Sequence, residues 1–61
     1  MLLEFKDDAN GIVYVNPAFV EAIWEERRRG GAVVVLKMTG ERTVCVSESL
    51  AEAVRKLNRG E

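Results

Sequence analysis

Apolar and polar positions alternate with a period of two through most of this chain, and switch to a helical period only near its end. In residues 2–6, Leu3 and Phe5 fall on one side and Leu2, Glu4 and Lys6 on the other, which predicts a first strand. Asp7-Asp8-Ala9-Asn10-Gly11 is a run of turn formers, and Asn10-Gly11 tolerates the positive φ of a hairpin reversal. Ile12-Val13-Tyr14-Val15 is β-branched and aromatic and predicts a second strand. Asn16-Pro17 interrupts it, because proline has no amide hydrogen and holds its predecessor extended. Asn16 can cap a single helical turn with Pro17 at its first position. Phe19 and Val20 are expected to enter the core from that turn.

Residues 20–27 carry both periods. Val20, Ile23, Trp24 and Arg27 fit helical spacing, whereas Val20, Ala22 and Trp24 fit strand alternation. The tight Arg29-Gly30-Gly31 connection to the next strand favours a hairpin, and so a strand over 20–27, with the helical reading left open. The next segment is less equivocal. Ala32, Val34, Leu36 and Met38 share one face, and Val33, Val35 and Lys37 share the other. Apolar residues on both sides predict a strand covered on both faces. Thr39-Gly40-Glu41-Arg42 turns the chain into a last strand, Thr43 to Ser47.

From there the period changes. Ser49 reads as an N-cap with Glu52 three residues on, the pattern of a capping box. Leu50, Ala53, Val54 and Leu57 then form one apolar stripe. Glu52 precedes Lys56 by four residues, and Arg55, Lys56 and Arg59 suit the C-terminal end of the helix dipole. Gly60 is placed to end the helix. The prediction is an α+β domain spanning 1–61: a small antiparallel sheet of three to five strands, open or coiled into a barrel, with one C-terminal amphipathic helix.

Length changes what this pattern implies. With 61 residues, a single core rarely supplies more than about 3–5 kcal/mol. One cysteine rules out an internal disulfide, and the chain has no histidine, which leaves a poor donor set for zinc. No cofactor or metal is expected, so association is the remaining common reinforcement. One helix covers one sheet face. The other is expected to leave Val33, Val35 and some of Val13, Val15, Leu2 and Ile23 exposed, a patch larger than soluble monomers usually carry. A homo-oligomer, with a dimer as the first guess, is expected to close it through Ile23, Trp24, Val33 and Val35.

Charge adds little. The net charge of −1 exerts no global pull on nucleic acid or anionic membrane. No apolar run reaches the ~20 residues of a membrane span. The early acid Glu4 and the short apolar start do not resemble a signal peptide, so a cytoplasmic location with a reduced thiol is expected. Arg27-Arg28-Arg29 before Gly30-Gly31 is the one basic cluster. It could grip phosphates with Lys37 or Arg42, but Glu21, Glu25 and Glu26 upstream favour a self-compensated hairpin tip. Cys45, between Val44 and Val46 and with no histidine to activate it, reads as an inert, buried thiol. The carboxylates show no pairing suited to acid–base work, so no catalytic residue is assigned.

The order of elements resembles two known patterns. The stretches Val15-Asn16-Pro17-Ala18-Phe19-Val20-Glu21-Ala22-Ile23, Val33 to Glu41 and Val44-Cys45-Val46-Ser47-Glu48-Ser49-Leu50 resemble the small flagellar FlbD-like proteins, short chains with an Asn-Pro turn, a hairpin and a terminal helix. The same stretch resembles the hairpin-and-helix portion of LytTR-type DNA-binding domains, which are longer and use loop residues on DNA. Both likenesses cover about residues 12–57, and neither carries a functional residue onto this chain. The function expected is a non-catalytic interaction module that self-associates; the alternative is a nucleic-acid-binding regulator using Arg27, Arg28 and Arg29.

Overall fold

A computed structural model describes residues 1–59. Five antiparallel strands form two sheets that do not close into a barrel, followed by one C-terminal helix. The first sheet is a hairpin of β1 (Leu3–Lys6) and β2 (Ile12–Val15). The second is a meander of β3 (Val20–Arg28), β4 (Gly31–Met38) and β5 (Arg42–Val46). Helix α1 spans Leu50–Arg59. The α+β class is therefore as the sequence predicts, and residues 20–27 are strand. The single sheet that the alternation suggested is divided in two by the Asn16-Pro17 turn. Among the described residues, only Asp7 and Val46 bridge the two sheets in strand fashion.

The turns follow from their residues. Asp7 Oδ1 accepts from the amides of Ala9 at 2.9 Å and Gly11 at 2.7 Å, and Asn10 sits at φ 68°. The β1–β2 reversal is thus held by one carboxylate. Asn16 Oδ1 accepts from the Ala18 amide at 3.0 Å and caps a 3-10 turn over Pro17–Phe19. Gly40 and Glu41, both at positive φ, turn β4 into β5.

The core lies between the inner faces of the two sheets and the helix. Phe5, Val15, Val34, Leu36, Val46 and Ala53 are buried there. Leu3, Val13, Val20, Ile23, Met38, Val44, Leu50 and Leu57 pack around them. Residue parity explains the set: Ile23, Leu36 and Val44 are register partners, as are Val34 and Val46. Residues opposite one another in an antiparallel ladder share a face.

The helix cap departs from the expected box. Ser49 Oγ accepts from the Glu52 amide at 3.2 Å, but the Glu52 carboxylate pairs with Arg55 at 2.8 Å. Lys56 does not pair with Glu52 either. Its Nζ donates to Glu48 Oε2 at 2.8 Å and to the Glu4 carbonyl at 2.6 Å, and lies 4.6 Å from the centre of the Phe5 ring. Glu48 also accepts from the Lys6 amide at 3.2 Å. The lysine therefore ties α1 to the outer edge of β1, a long-range pairing that local helix rules do not contain. Val54 is exposed, so the buried stripe is narrower than its spacing suggests. Gly60, assigned as the helix stop, lies outside the described residues.

Candidate functional site

Two surfaces are candidates for a functional site. The first is the outer face of the β3–β4–β5 sheet. Val33 and Val35 were expected to lie open there, but they are only 8% and 3% exposed. The covering material is local. Trp24 and Cys45 flank Val35 in register, and Glu26 lies opposite Val33. The Trp24 indole Nε1–H donates to Glu26 Oε2 at 3.0 Å. Glu26 Oε1 in turn accepts from Arg28 Nε at 3.2 Å and Nη2 at 2.9 Å. Polar heads bonded to one another hold their apolar stems over the valines, as amphipathic side chains do. Ile23 faces the other way and packs on the core. The expected patch at Ile23, Trp24, Val33 and Val35 is thus largely closed within one chain.

The Trp24–Glu26–Arg28 row has its own electrostatic signature. Glu26 is held below its ordinary value of 4.5, first by the indole hydrogen bond and then by Arg28. A carboxylate with a lowered folded-state pKa contributes stability that is complete above the unfolded value and disappears as pH falls through the folded one. Fluorescence of Trp24, the sole tryptophan, is therefore expected to change with a midpoint below 4.5. Glu26→Gln should abolish that transition; a midpoint at or above 4.5, or its survival in the variant, would contradict the assignment.

The basic residues do not converge. Arg28 is paired with Glu26, and Lys37 with Glu21 at 3.2 Å. Arg27 and Arg28 alternate onto opposite faces of β3, and Arg29 sits at the β3–β4 turn. Arg42 lies opposite Met38, at the far end of β4 from Gly31 and Arg28. At about 3.3 Å per residue, that separates Arg42 from Arg28 by on the order of 20 Å. Asp8 shares a groove of about 310 Å³ with Arg28, Gly30 and Ser47, placing a negative charge beside the arginine tip. Cys45 is half-buried rather than enclosed.

The second surface is the outer face of the β1–β2 hairpin with the adjoining turn. Ile12 is 51% exposed, Tyr14 59% and Phe19 53%, and Leu2 is exposed as well. Leu2 falls on the Glu4–Lys6 side of β1 by alternation. Glu4 lies opposite Tyr14, and Lys6 opposite Ile12. Phe19 does not enter the core as its position suggested. Its carbonyl accepts from the Thr39 amide at 2.9 Å, and its ring joins Tyr14 at an open groove of about 240 Å³ that also reaches Met38, Arg42 and Val44. The signal was present in the sequence: Ile12 and Tyr14 have the parity opposite to Val13 and Val15, and only one pair can face the core.

Among the described residues, no group of three potential metal-ligating side chains comes together, and no buried side-chain nitrogen or oxygen lacks a hydrogen-bond partner. No described helix is long and apolar enough to cross a membrane. No family model, curated protein or solved structure matches this chain.

Proposed function

We propose that this chain is a small non-catalytic interaction module that acts by associating with further copies of itself. The observation that carries this reading is the set of exposed apolar side chains Leu2, Ile12 and Tyr14 along the outer side of the β1–β2 hairpin, with Phe19 beside Tyr14 in the turn that follows. An isolated two-stranded hairpin is marginal in water, and sheets gain independent stability at three strands or more. The largest apolar patch on a soluble monomer, typically about 300–600 Å², is often its functional surface. The net charge of −1 opposes the approach of a second copy only weakly.

Sedimentation velocity over a dilution series tests the reading. The mass is expected to rise from 6.8 kDa at low micromolar concentration towards twice that value as concentration increases. A single 6.8 kDa species persisting to millimolar concentration would overturn it.

A further inference from the structure

We infer that the association surface is the free edge of β2, and that two copies join there as antiparallel strands around a two-fold axis at Val13. The inference rests on the self-association reading and adds the strand, the register and the residues.

The hydrogen-bond phase of the hairpin comes first. The Asp7 amide donates to the Gly11 carbonyl at 3.0 Å. Opposed pairs in an antiparallel ladder alternate between bonded and non-bonded. Continuing the register, Phe5–Val13 is bonded, whereas Lys6–Ile12 and Glu4–Tyr14 are not. Partners on the far side of β1 agree with this phase. The Lys6 amide donates to Glu48, the Lys6 carbonyl accepts from the Ser47 amide, and the Glu4 carbonyl accepts from Lys56. Those groups point away from β2. By the same alternation, the amides and carbonyls of Ile12 and Tyr14 point away from β1, towards an edge on which no strand pairs among the described residues.

The three other edges are guarded. The outer edge of β1 is occupied by Ser47, Glu48 and Lys56. The β3 edge carries Glu21, Glu25 and Arg27, with a register shift between Val20 and Ala22. The β5 edge starts at Arg42 and ends in the Asp7–Val46 bridge. Charges and bulges of this kind are the usual protection against strand pairing. Ile12-Val13-Tyr14-Val15 has neither.

The register is then constrained. Same-face pairing requires residues of like parity to meet, so a two-fold axis passes through a residue rather than between two. An axis at Tyr14 would set Ile12 against Asn16, whose carbonyl already accepts from the Phe19 amide at 3.0 Å. An axis at Val13 sets Ile12 against Tyr14 of the second copy and Tyr14 against Ile12. All four outward groups of each strand are then satisfied, in four interchain hydrogen bonds. Val15 meets Gly11, which offers no side chain to clash. Each row across the new four-stranded sheet reads Glu4, Tyr14, Ile12, Lys6, with charges only at its ends. In-plane pairing covers Ile12 and Tyr14 only along their flanks and leaves Leu2 and Phe19 outside the ladder, so the contact falls well below the ~800 Å² per partner of a standard interface. The dimer is therefore weak and concentration-dependent, not obligate.

Tyr14→Pro tests the edge. The Tyr14 amide is not bonded to β1, and proline is tolerated in edge strands at such a position, so the hairpin is retained while an interchain donor is removed. Ile12→Lys is the second variant and leaves the backbone unchanged. With circular dichroism confirming folded protein, each should weaken the dimer at least tenfold in sedimentation, while Trp24→Ala on the other sheet should alter it less than twofold. In the wild type, hydrogen exchange at the Ile12 and Tyr14 amides should slow with rising concentration. If the wild type dimerises but both β2 variants dimerise as well as it does, the edge assignment is overturned and the self-association reading stands. Concentration-independent exchange at Ile12 and Tyr14 in a dimerising sample overturns the edge assignment too. A wild type monomeric at every concentration overturns both.

Discussion

Phe5→Ala is expected to leave the chain unfolded at 25 °C in the absence of denaturant. Phe5 is completely buried and heads the fully enclosed side chains, with Leu36, Val34 and Val46 around it. Truncating a buried phenylalanine costs about 3–5 kcal/mol, from lost transfer energy and the cavity left behind. The whole core of a domain this small supplies a similar amount. The ring also lies under the Lys56 ammonium, so the truncation loosens the helix at its anchor on β1. Circular dichroism with urea titration is the measurement. Phe5→Leu, which keeps most of the volume, should stay folded at a cost below about 1.5 kcal/mol. A cooperative transition in Phe5→Ala at the wild-type midpoint would show that the core is not organised around this ring.

Ala53→Glu is expected to have the next largest effect, by detaching the helix. Ala53 is the one buried residue described in α1, with no exposed surface. Glutamate is itself a good helix former, within ~0.7 kcal/mol of alanine, so propensity does not account for a large loss. Burial does, because an unpaired carboxylate in the core costs several kcal/mol. Such a group has its folded-state pKa raised. Its destabilising effect therefore grows as pH rises through the ordinary carboxylate range and lessens below it, where the neutral acid forms. Val54→Glu, one position along on an exposed site, is the control and should change stability by less than about 0.5 kcal/mol. Equal losses in the two variants would mean that the helix does not dock through Ala53.

Much of the fold was legible because side-chain period and turn chemistry are local. The alternation at Leu3 and Phe5, the Asn16 cap before Pro17, the two-faced Ala32–Met38 run and the Leu50–Leu57 stripe each depend on residues within a few positions. Burial of both faces of β4 was readable for the same reason. What covers each face was not. Trp24, Glu26 and Arg28 are spaced two apart and lie on one side of β3, so the row could be listed from the sequence. That Trp24 on β3 and Cys45 on β5 would flank Val35 from its two sides depended on strand order. Lys56 offers the same lesson. The i, i+4 rule pointed to Glu52, but a stronger arrangement came from Glu48 and the β1 backbone, brought close only by helix docking.

The site shows the same division. The sequence by itself determined that 61 residues have no disulfide with which to staple the fold, and that two opposed sets of apolar side chains lie along residues 12–15. Tertiary structure decided which surface remained open. Long polar side chains closed the outer face of the larger sheet, while the division at Asn16-Pro17 left the smaller hairpin with only one strand neighbour for β2. Side-chain parity is a property of the chain, but the exposure of a face depends on what folds over it, and that is settled by contacts between residues far apart in sequence.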